Sequence, residues 1–289
     1  MEQKQDKPAV YVSGEWKYTL REDGTAEITG YSGTTVKLTV PVQLDGHTVT
    51  VIGSAFRLHK YLRSVKLPAS VTHIGDYAFA HREYLTDVTL PAGLTGIGTG
   101  AFLSCDSLTD VMLPDTLRSL GDRAFASCVS LTRIALPDSL TSIGVNPFSN
   151  CGNLTDVIVS PEHPTLETID GVLFDKVEKR LICYPCTYSD SSYTVPEGIR
   201  SIGARAFYNC GCLTSLKLPD TVTSIGSDAF SFCDSLTDAT LPESLMELGD
   251  CAFYGCESLE RMTLPASLII VGNEVFDGCC NLTLTLADS

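Results

Sequence analysis

The sequence has little positive charge and no long apolar run. Its 289 residues include 35 Asp and Glu but only 20 Lys and Arg, so the formal net charge at pH 7 is -15. Such a chain repels phosphate backbones and anionic lipid, which argues against nucleic-acid binding and membrane insertion. No run of about 18 apolar residues occurs, and residues 1–8 lack the apolar centre of a signal peptide. We therefore expect neither a membrane span nor a leader within these residues.

The sequence also lacks a catalytic or metal-binding set that stands apart from its repeated positions. His59, His73 and His81 do not have the spacing of metal ligands. Cys183 and Cys186 have C-x-x-C spacing, which occurs in redox and zinc sites, but no second pair and no helix pattern accompanies them. We predict no enzyme, no catalytic residue, no cofactor and no metal.

What the sequence does contain is a repeat of 23 residues. Its clearest markers are prolines in two runs, Pro68, Pro91, Pro114 and Pro137, then Pro196, Pro219, Pro242 and Pro265. A strict period of about 20–29 residues with leucines at fixed offsets is typical of a leucine-rich-repeat solenoid, in which each coil packs only against its neighbours. We predict a solenoid of the α/β class, mostly β, forming a right-handed superhelix of about ten coils.

One coil, residues 108–128, shows what each position does. Val111 and Leu113 alternate with outward residues, as in a strand with one buried face. Pro114 ends the strand because it has no N–H. The glycine at the Gly121 position recurs in every coil, either because its φ is positive or because no Cβ fits there. The segment around Phe125 is long enough only for a turn of α- or 3₁₀ helix.

Two further positions form ladders. The phenylalanines should stack as a buried spine on the convex side: Phe56, Phe79, Phe102, Phe125, Phe148, Phe207, Phe230, Phe253 and Phe276. Seven cysteines share one repeat position: Cys105, Cys128, Cys151, Cys210, Cys233, Cys256 and Cys279. Because seven is odd they cannot all pair with each other, and we predict buried free thiols.

The repeat is irregular at its start and in its middle. Trp16–Leu20 and 26–29 flank a Gly-containing turn and predict a β-hairpin, so that residues 1–40 form an arm and cap and 41–289 the solenoid. Pro137 and Pro196 lie 59 residues apart, 13 more than two repeats. This excess predicts an inserted hairpin at about 160–192, with strands at 171–174 and 180–184, which is either a functional protrusion or a neutral insertion.

Outward strand positions on the expected concave face are the candidate binding surface. Asp87 and Asp110 have the spacing of a catalytic carboxylate pair. The interpretation we favour is that Asp110 and Asp156 flank Arg133 on adjacent coils and that these charges neutralise one another. One outward position holds Met112, Ala135 and Ile158 in three successive coils, and we call this set the apolar step. It predicts either a protein-binding patch or packing beneath the inserted hairpin. The candidate binding residues are Asp87, Asp110, Met112, Arg133, Asp156 and Ile158, and Ala135 lies in the coil between those of Met112 and Ile158.

The repeated pattern L-x-x-[IV]-x-L-P-x-x-[LV]-x-x-I-G-x-x-A-F-x-x-C, over about residues 35–282, closely resembles the BspA-like leucine-rich repeat proteins. That resemblance implies a secreted or cell-surface protein of a host-associated bacterium, or of some protozoa, with adhesion to host proteins or other cells as its role. The leading hypothesis is a non-enzymatic binding or adhesion module that recognises protein or glycan partners through the solenoid surface. The alternative is a structural spacer in a larger cell-surface protein.

Overall fold

Most coils of the chain place short strands on two sides of a stack and turns at the corners. These features come from a computed structural model that describes residues 8–56, 59–187 and 191–287. The strands are two to six residues long. The core lies between the sides of the stack, and its apolar residues come from every coil.

Six strands precede the first regular coil: β1 (Val10–Ser13), β2 (Trp16–Leu20), β3 (Ala26–Tyr31), β4 (Lys37–Thr39), β5 (Gln43–Leu44) and β6 (His47–Ile52). Eight follow before the insertion predicted at about 160–192: β7 (Ser64–Lys66), β8 (His73–Ile74), β9 (Asp87–Thr89), β10 (Gly96–Ile97), β11 (Ser119–Leu120), β12 (Arg133–Leu136), β13 (Ser142–Ile143) and β14 (Asp156–Val159).

Three strands lie in the long interval: β15 (Leu166–Ile169), β16 (Val172–Asp175) and β17 (Arg180–Cys183). Nine complete the stack: β18 (Ser192–Thr194), β19 (Ser201–Ile202), β20 (Ser215–Lys217), β21 (Ser224–Ile225), β22 (Asp238–Thr240), β23 (Glu247–Leu248), β24 (Arg261–Leu264), β25 (Ile270–Val271) and β26 (Thr283–Leu286).

Equivalent strands of successive coils pair in parallel and form two rows. The first strand row consists of β4-β7-β9, then β12-β14, then β18-β20-β22-β24-β26. The second strand row consists of β6-β8-β10-β11-β13, then β17-β19-β21-β23-β25. In most of these pairs the partners are 23 residues apart, as in Ser64 with Asp87 and Gly96 with Ser119. The period seen in the sequence is therefore the register of the sheets.

The strand expected around Val111 is not formed. Its burial alternates as predicted, with Val111 buried between exposed Asp110 and Met112. No ladder pairing joins 110–113 to either neighbour, so β9 and β12 are sheet edges. The alternation of apolar and polar residues shows which side chains face the core. A strand also needs backbone hydrogen bonds, and these depend on the spacing between coils.

The mostly-β solenoid is confirmed, but the predicted helical turns are wrong, since the described part of the chain contains no helix. In the segment after Phe102, the N–H of Cys105 donates to the Phe102 carbonyl at 3.2 Å, which is a single turn. Between them Ser104 has a φ of 55°, and its N–H donates to Ala126 of the next coil at 2.8 Å. A left-handed residue cannot continue a right-handed helix, so the chain turns without forming one.

The glycine column is required by close packing between coils. Gly121 does not have a positive φ; the left-handed residue in this corner is Arg123, with a φ of 52°. A Cβ on Gly121 would lie 2.5 Å from the carbonyl carbon of Gly98 and 2.5 Å from the nitrogen of Thr99. Of the two explanations offered by the sequence, lack of space for a Cβ is correct.

The phenylalanine spine is present. Ring centroids from Phe56 to Phe148 are 5.0, 5.3, 5.0 and 6.2 Å apart, and those from Phe207 to Phe276 are 4.9, 5.0 and 5.8 Å apart. Tyr184 stacks on Phe207 at 4.8 Å and so begins the second run. These rings form a continuous buried contact within each run, as offset aromatic stacks do.

The predicted N-terminal hairpin is present with one additional strand. β1 pairs antiparallel with β2, β2 pairs antiparallel with β3, and β3 then pairs parallel with β6. Ala26 and Ile28 of β3 are fully buried in the core. The hydroxyls of Ser13 and Tyr18 donate to the carboxylate of Asp45 at 2.7 and 2.9 Å. The N-terminal strands are thereby joined to the first coil, and they cover its apolar interior.

The inserted hairpin is part of the core and does not protrude. β15, β16 and β17 are antiparallel, and β17 pairs in parallel with β19 of the next coil. All four residues of β16 are buried. Side chains also connect the flanking coils, since Asn146 Nδ2 donates to the Arg205 carbonyl at 2.7 Å and Asn209 Nδ2 donates to Asn150 Oδ1 at 2.6 Å. The insertion therefore adds strands to the second strand row, while the turns of the coils before and after it remain in contact with each other.

Candidate functional site

The strand-face patch is the set of outward residues in the middle of the first strand row. Strand geometry turns alternate residues outward, so Val88, Ile134 and Val157 face the core while their neighbours face solvent. The patch consists of Asp87 on β9, Asp110 and Met112 in the unpaired segment, Arg133 on β12, and Asp156 and Ile158 on β14. The structure places all six residues on neighbouring coils of one surface.

The charged residues of the patch pair only in part as predicted. Arg133 Nη2 lies 3.6 Å from Asp110 Oδ2, and both side chains are more than half exposed. Asp156, the register partner of Arg133, instead accepts a hydrogen bond from Thr155 Oγ1 at 2.8 Å. An exposed pair of this kind contributes about 0–1 kcal/mol. The expected Asp-Arg-Asp neutralisation is thus reduced to one pair.

The carboxylates of the patch do not have the environment of a catalytic pair. Asp87 is exposed and accepts a hydrogen bond from Ser64 Oγ at 3.0 Å. Asp110 is exposed and forms the ion pair with Arg133. A general acid needs an apolar wall that favours its protonated form, and neither residue has one.

The apolar step is open to solvent. Met112 is 85% exposed and Ile158 is 51% exposed, and Ala135 between them is also exposed. The inserted hairpin enters the second strand row, so it does not cover these residues. The alternative of packing beneath the hairpin is therefore wrong, and binding by the patch stays a prediction.

The cysteine ladder has a hydrogen-bonding role that the sequence did not indicate. Six of the seven ladder cysteines donate to a phenylalanine carbonyl of the preceding coil, for example Cys128 Sγ to Phe102 at 3.1 Å and Cys151 Sγ to Phe125 at 3.1 Å. Burial raises the pKa of the Cys151 thiol to about 12. A raised pKa suppresses the thiolate form, so the Cys151 thiol should be unreactive.

One ladder cysteine contradicts the prediction of free thiols. Cys210 forms a disulfide with Cys186, with Cα atoms 4.8 Å apart. Cys183, the other member of the C-x-x-C spacing, is a buried free thiol. Cys279 keeps its bond to a carbonyl, with Sγ 3.0 Å from Phe253 O, but is only partly buried. The disulfide between Cys186 and Cys210 joins the end of the insertion to the next coil. It forms because the two residues are close in space, which their spacing along the chain does not show.

Within the described residues, no group of three or more His, Cys, Asp or Glu is placed to hold a metal ion. In the same part of the chain, no helix has the length and apolarity needed to cross a membrane.

A cleft between the N-terminal strands and the first coil was missed by the sequence reasoning. This cap cleft has a volume of about 980 Å³, and Lys17, Tyr31, His59, Lys60 and Tyr61 supply its charged and aromatic side chains. Lys17 and Tyr31 precede the regular coils. His59 stands at the position that holds the ladder cysteines from Cys105 onward, and Lys60 and Tyr61 stand at positions whose residue type varies, so the repeated pattern does not point to them. The concentration of aromatic and basic residues in and beside the irregular start of an acidic chain was the available signal.

The repeat matches the family described as "BspA type Leucine rich repeat region", in six copies over residues 50–179 and 182–288. A search of curated proteins finds no match to the chain. Among solved structures, a leucine-rich cell surface protein of Faecalibacterium prausnitzii is similar, with 29% identity, a TM-score of 0.60, and 98% of this chain and 96% of that one covered.

Two further solved structures share the fold. The pneumococcal vaccine antigen PcpA has 24% identity and a TM-score of 0.76, with 97% of this chain and 82% of that one covered. A leucine-rich repeat protein of Eubacterium ventriosum has 23% identity and a TM-score of 0.76, with 98% and 85% covered. Because the family pattern covers most of the residues and the coils carry its ladders in space, this chain belongs to the BspA-type leucine-rich repeat family.

Proposed function

We propose that the chain is a non-enzymatic adhesion module of a secreted or cell-surface protein, and that it binds a protein partner through the strand-face patch. The observation that carries this proposal is the exposure of Met112 and Ile158, at 85% and 51%, in the middle of the first strand row. Large apolar side chains rimmed by charge mark interaction surfaces.

Charge and family membership support the same proposal. The apolar centre is bordered by Asp87, Asp110, Arg133 and Asp156, which is the polar rim around an apolar centre found in protein interfaces. The Faecalibacterium relative is described as a cell surface protein, and surface exposure suits an extended binding face. Parallel coils repeat that face at strand spacing, which provides a long contact area without a deep pocket.

The test begins by probing an array of extracellular matrix proteins and mucins with the purified chain. For a partner identified in this way, the double variant Met112→Asp with Ile158→Lys should weaken binding at least 10-fold, because it places charges at the centre of the interface. The melting temperature should stay within about 2 °C, since both side chains point to solvent.

The chain offers a matched control. Met246 and Ile269 are also exposed, at 46% and 72%, and lie on adjacent coils outside the patch. Met246→Asp with Ile269→Lys should change the affinity less than 2-fold. Equal loss in both double variants, or unchanged binding in the Met112/Ile158 variant, would show that the patch is not the interface. Absence of saturable binding across the array would favour the structural spacer.

A further inference from the structure

The cap cleft is built from aromatic residues held in fixed positions. The Tyr31 ring lies between Trp16, with centroids 4.5 Å apart, and His59, with centroids 5.0 Å apart. The Tyr31 hydroxyl donates to Glu15 Oε2 at 3.1 Å, and His59 Nε2 lies 2.6 Å from the Tyr31 carbonyl oxygen. These contacts fix the cleft wall before any ligand arrives, which reduces the cost of binding.

The rim of the cleft carries an aromatic ring that has little packing of its own. Tyr61 is 66% exposed and contacts Tyr84, which is 41% exposed, with ring centroids 5.9 Å apart. An aromatic face carries partial negative charge and attracts the polarised C–H groups of a sugar ring. Its hydroxyl remains available to hydrogen-bond a sugar hydroxyl.

The charge of the cleft is opposite to that of the whole protein. Lys17 and Lys60 are both exposed at the cleft, and no Asp or Glu is among its lining residues. The net charge of the chain is -15. Two other clefts, both lined in part by Arg180, do include carboxylates in their linings: Glu247 in one, and Asp175 and Glu178 in the other. Glu15, which accepts the Tyr31 hydroxyl at the cleft wall, supplies one carboxylate against these two ammonium groups, and the remaining positive charge favours an anionic ligand.

The volume of about 980 Å³ lies at the upper end of the range of small-ligand sites, about 300–1,000 Å³, and exceeds what one sugar ring needs. We infer that the cap cleft binds an anionic saccharide of a few units. One sugar ring stacks on Tyr61, and its carboxylate or sulfate is bound by Lys17 and Lys60. This site is separate from the strand-face patch, so either can fail without the other.

The only tryptophan of the chain provides the assay. Trp16 contacts Tyr31, which lines the cleft, so ligand binding should change its fluorescence. The intact protein is titrated with a glucuronate-containing tetrasaccharide, a sulfated tetrasaccharide and a neutral tetrasaccharide. We expect saturable binding of at least one acidic sugar, at least 10-fold tighter than the neutral one and weakened by salt. The stronger of the two acidic ligands identifies whether carboxylate or sulfate is preferred.

Variants locate the binding. Tyr61→Ala, and separately Lys17→Gln with Lys60→Gln, should each weaken binding at least 10-fold. The matched control is Lys66→Gln with Lys217→Gln, two exposed lysines of the first strand row, which should change it less than 2-fold. Equal affinity for the neutral sugar, equal loss in the control, or no saturable response up to about 10 mM ligand would overturn the inference; that concentration corresponds to roughly 3 kcal/mol of binding free energy.

Discussion

Replacing Gly121 by alanine should separate two coils of the solenoid. The added Cβ would lie 2.5 Å from both Gly98 C and Thr99 N, and 2.9 Å from Gly98 O. These are backbone atoms and cannot rotate away, so the coils must move apart by nearly 1 Å to reach ordinary contact. The bond from Gly121 N–H to the Ile97 carbonyl, now 2.8 Å, would lengthen with them.

The magnitude follows from two costs. Overpacking a core costs about 1–3 kcal/mol, and a weakened backbone hydrogen bond adds about 1 kcal/mol. We therefore expect Gly121→Ala to lower the free energy of unfolding by about 3 kcal/mol, measured as a shift of the urea midpoint at unchanged slope.

Gly152 is the matched control, because a Cβ there would meet no atom within 4 Å and its φ is not positive. Gly152→Ala should change the stability by less than about 0.5 kcal/mol. Equal urea midpoints for the two variants would refute the conclusion that the glycine column is needed for coil-to-coil contact.

Two further predictions concern the thiols and one histidine. A thiol reagent should label Cys212 and Cys280 rapidly in the native protein, ten thiols after denaturation without reductant, and twelve after reduction. Ten labelled thiols in the native state would contradict the buried ladder. Burial lowers the pKa of the His163 imidazole below its ordinary 6.5, and its Nδ1 accepts from the N–H of Leu166 at 3.0 Å. The unfolded chain therefore takes up a proton first, and stability should fall as pH drops below about 6.5. Urea midpoints between pH 7 and 5 should fall less in His163→Asn, and an identical fall would exclude this residue as the cause.

The phenylalanines, which recur at the same position in successive coils, were predicted correctly. Phe79 and Phe102 stack because equivalent side chains of adjacent coils must meet when coils pair in register. The helical turn was mispredicted because the length of the segment limits a helix to one turn but does not require one, whereas the left-handed φ of Ser104 accompanies a hydrogen bond to the next coil. The strand-face patch was correctly placed on one surface, since period-two alternation directs its side chains outward.

The 23-residue interval by itself determined the solenoid, the register of both strand rows and the identity of the buried spine. A periodic chain can bury its apolar residues only against the next copy of the same coil, so one interval specifies every such contact. Tertiary structure alone decided the disulfide between Cys186 and Cys210, the position of the insertion inside the core, and the cap cleft. These features join segments that differ from the repeat, such as Lys17 with Tyr61, and contacts between unlike segments leave no periodic pattern in the sequence.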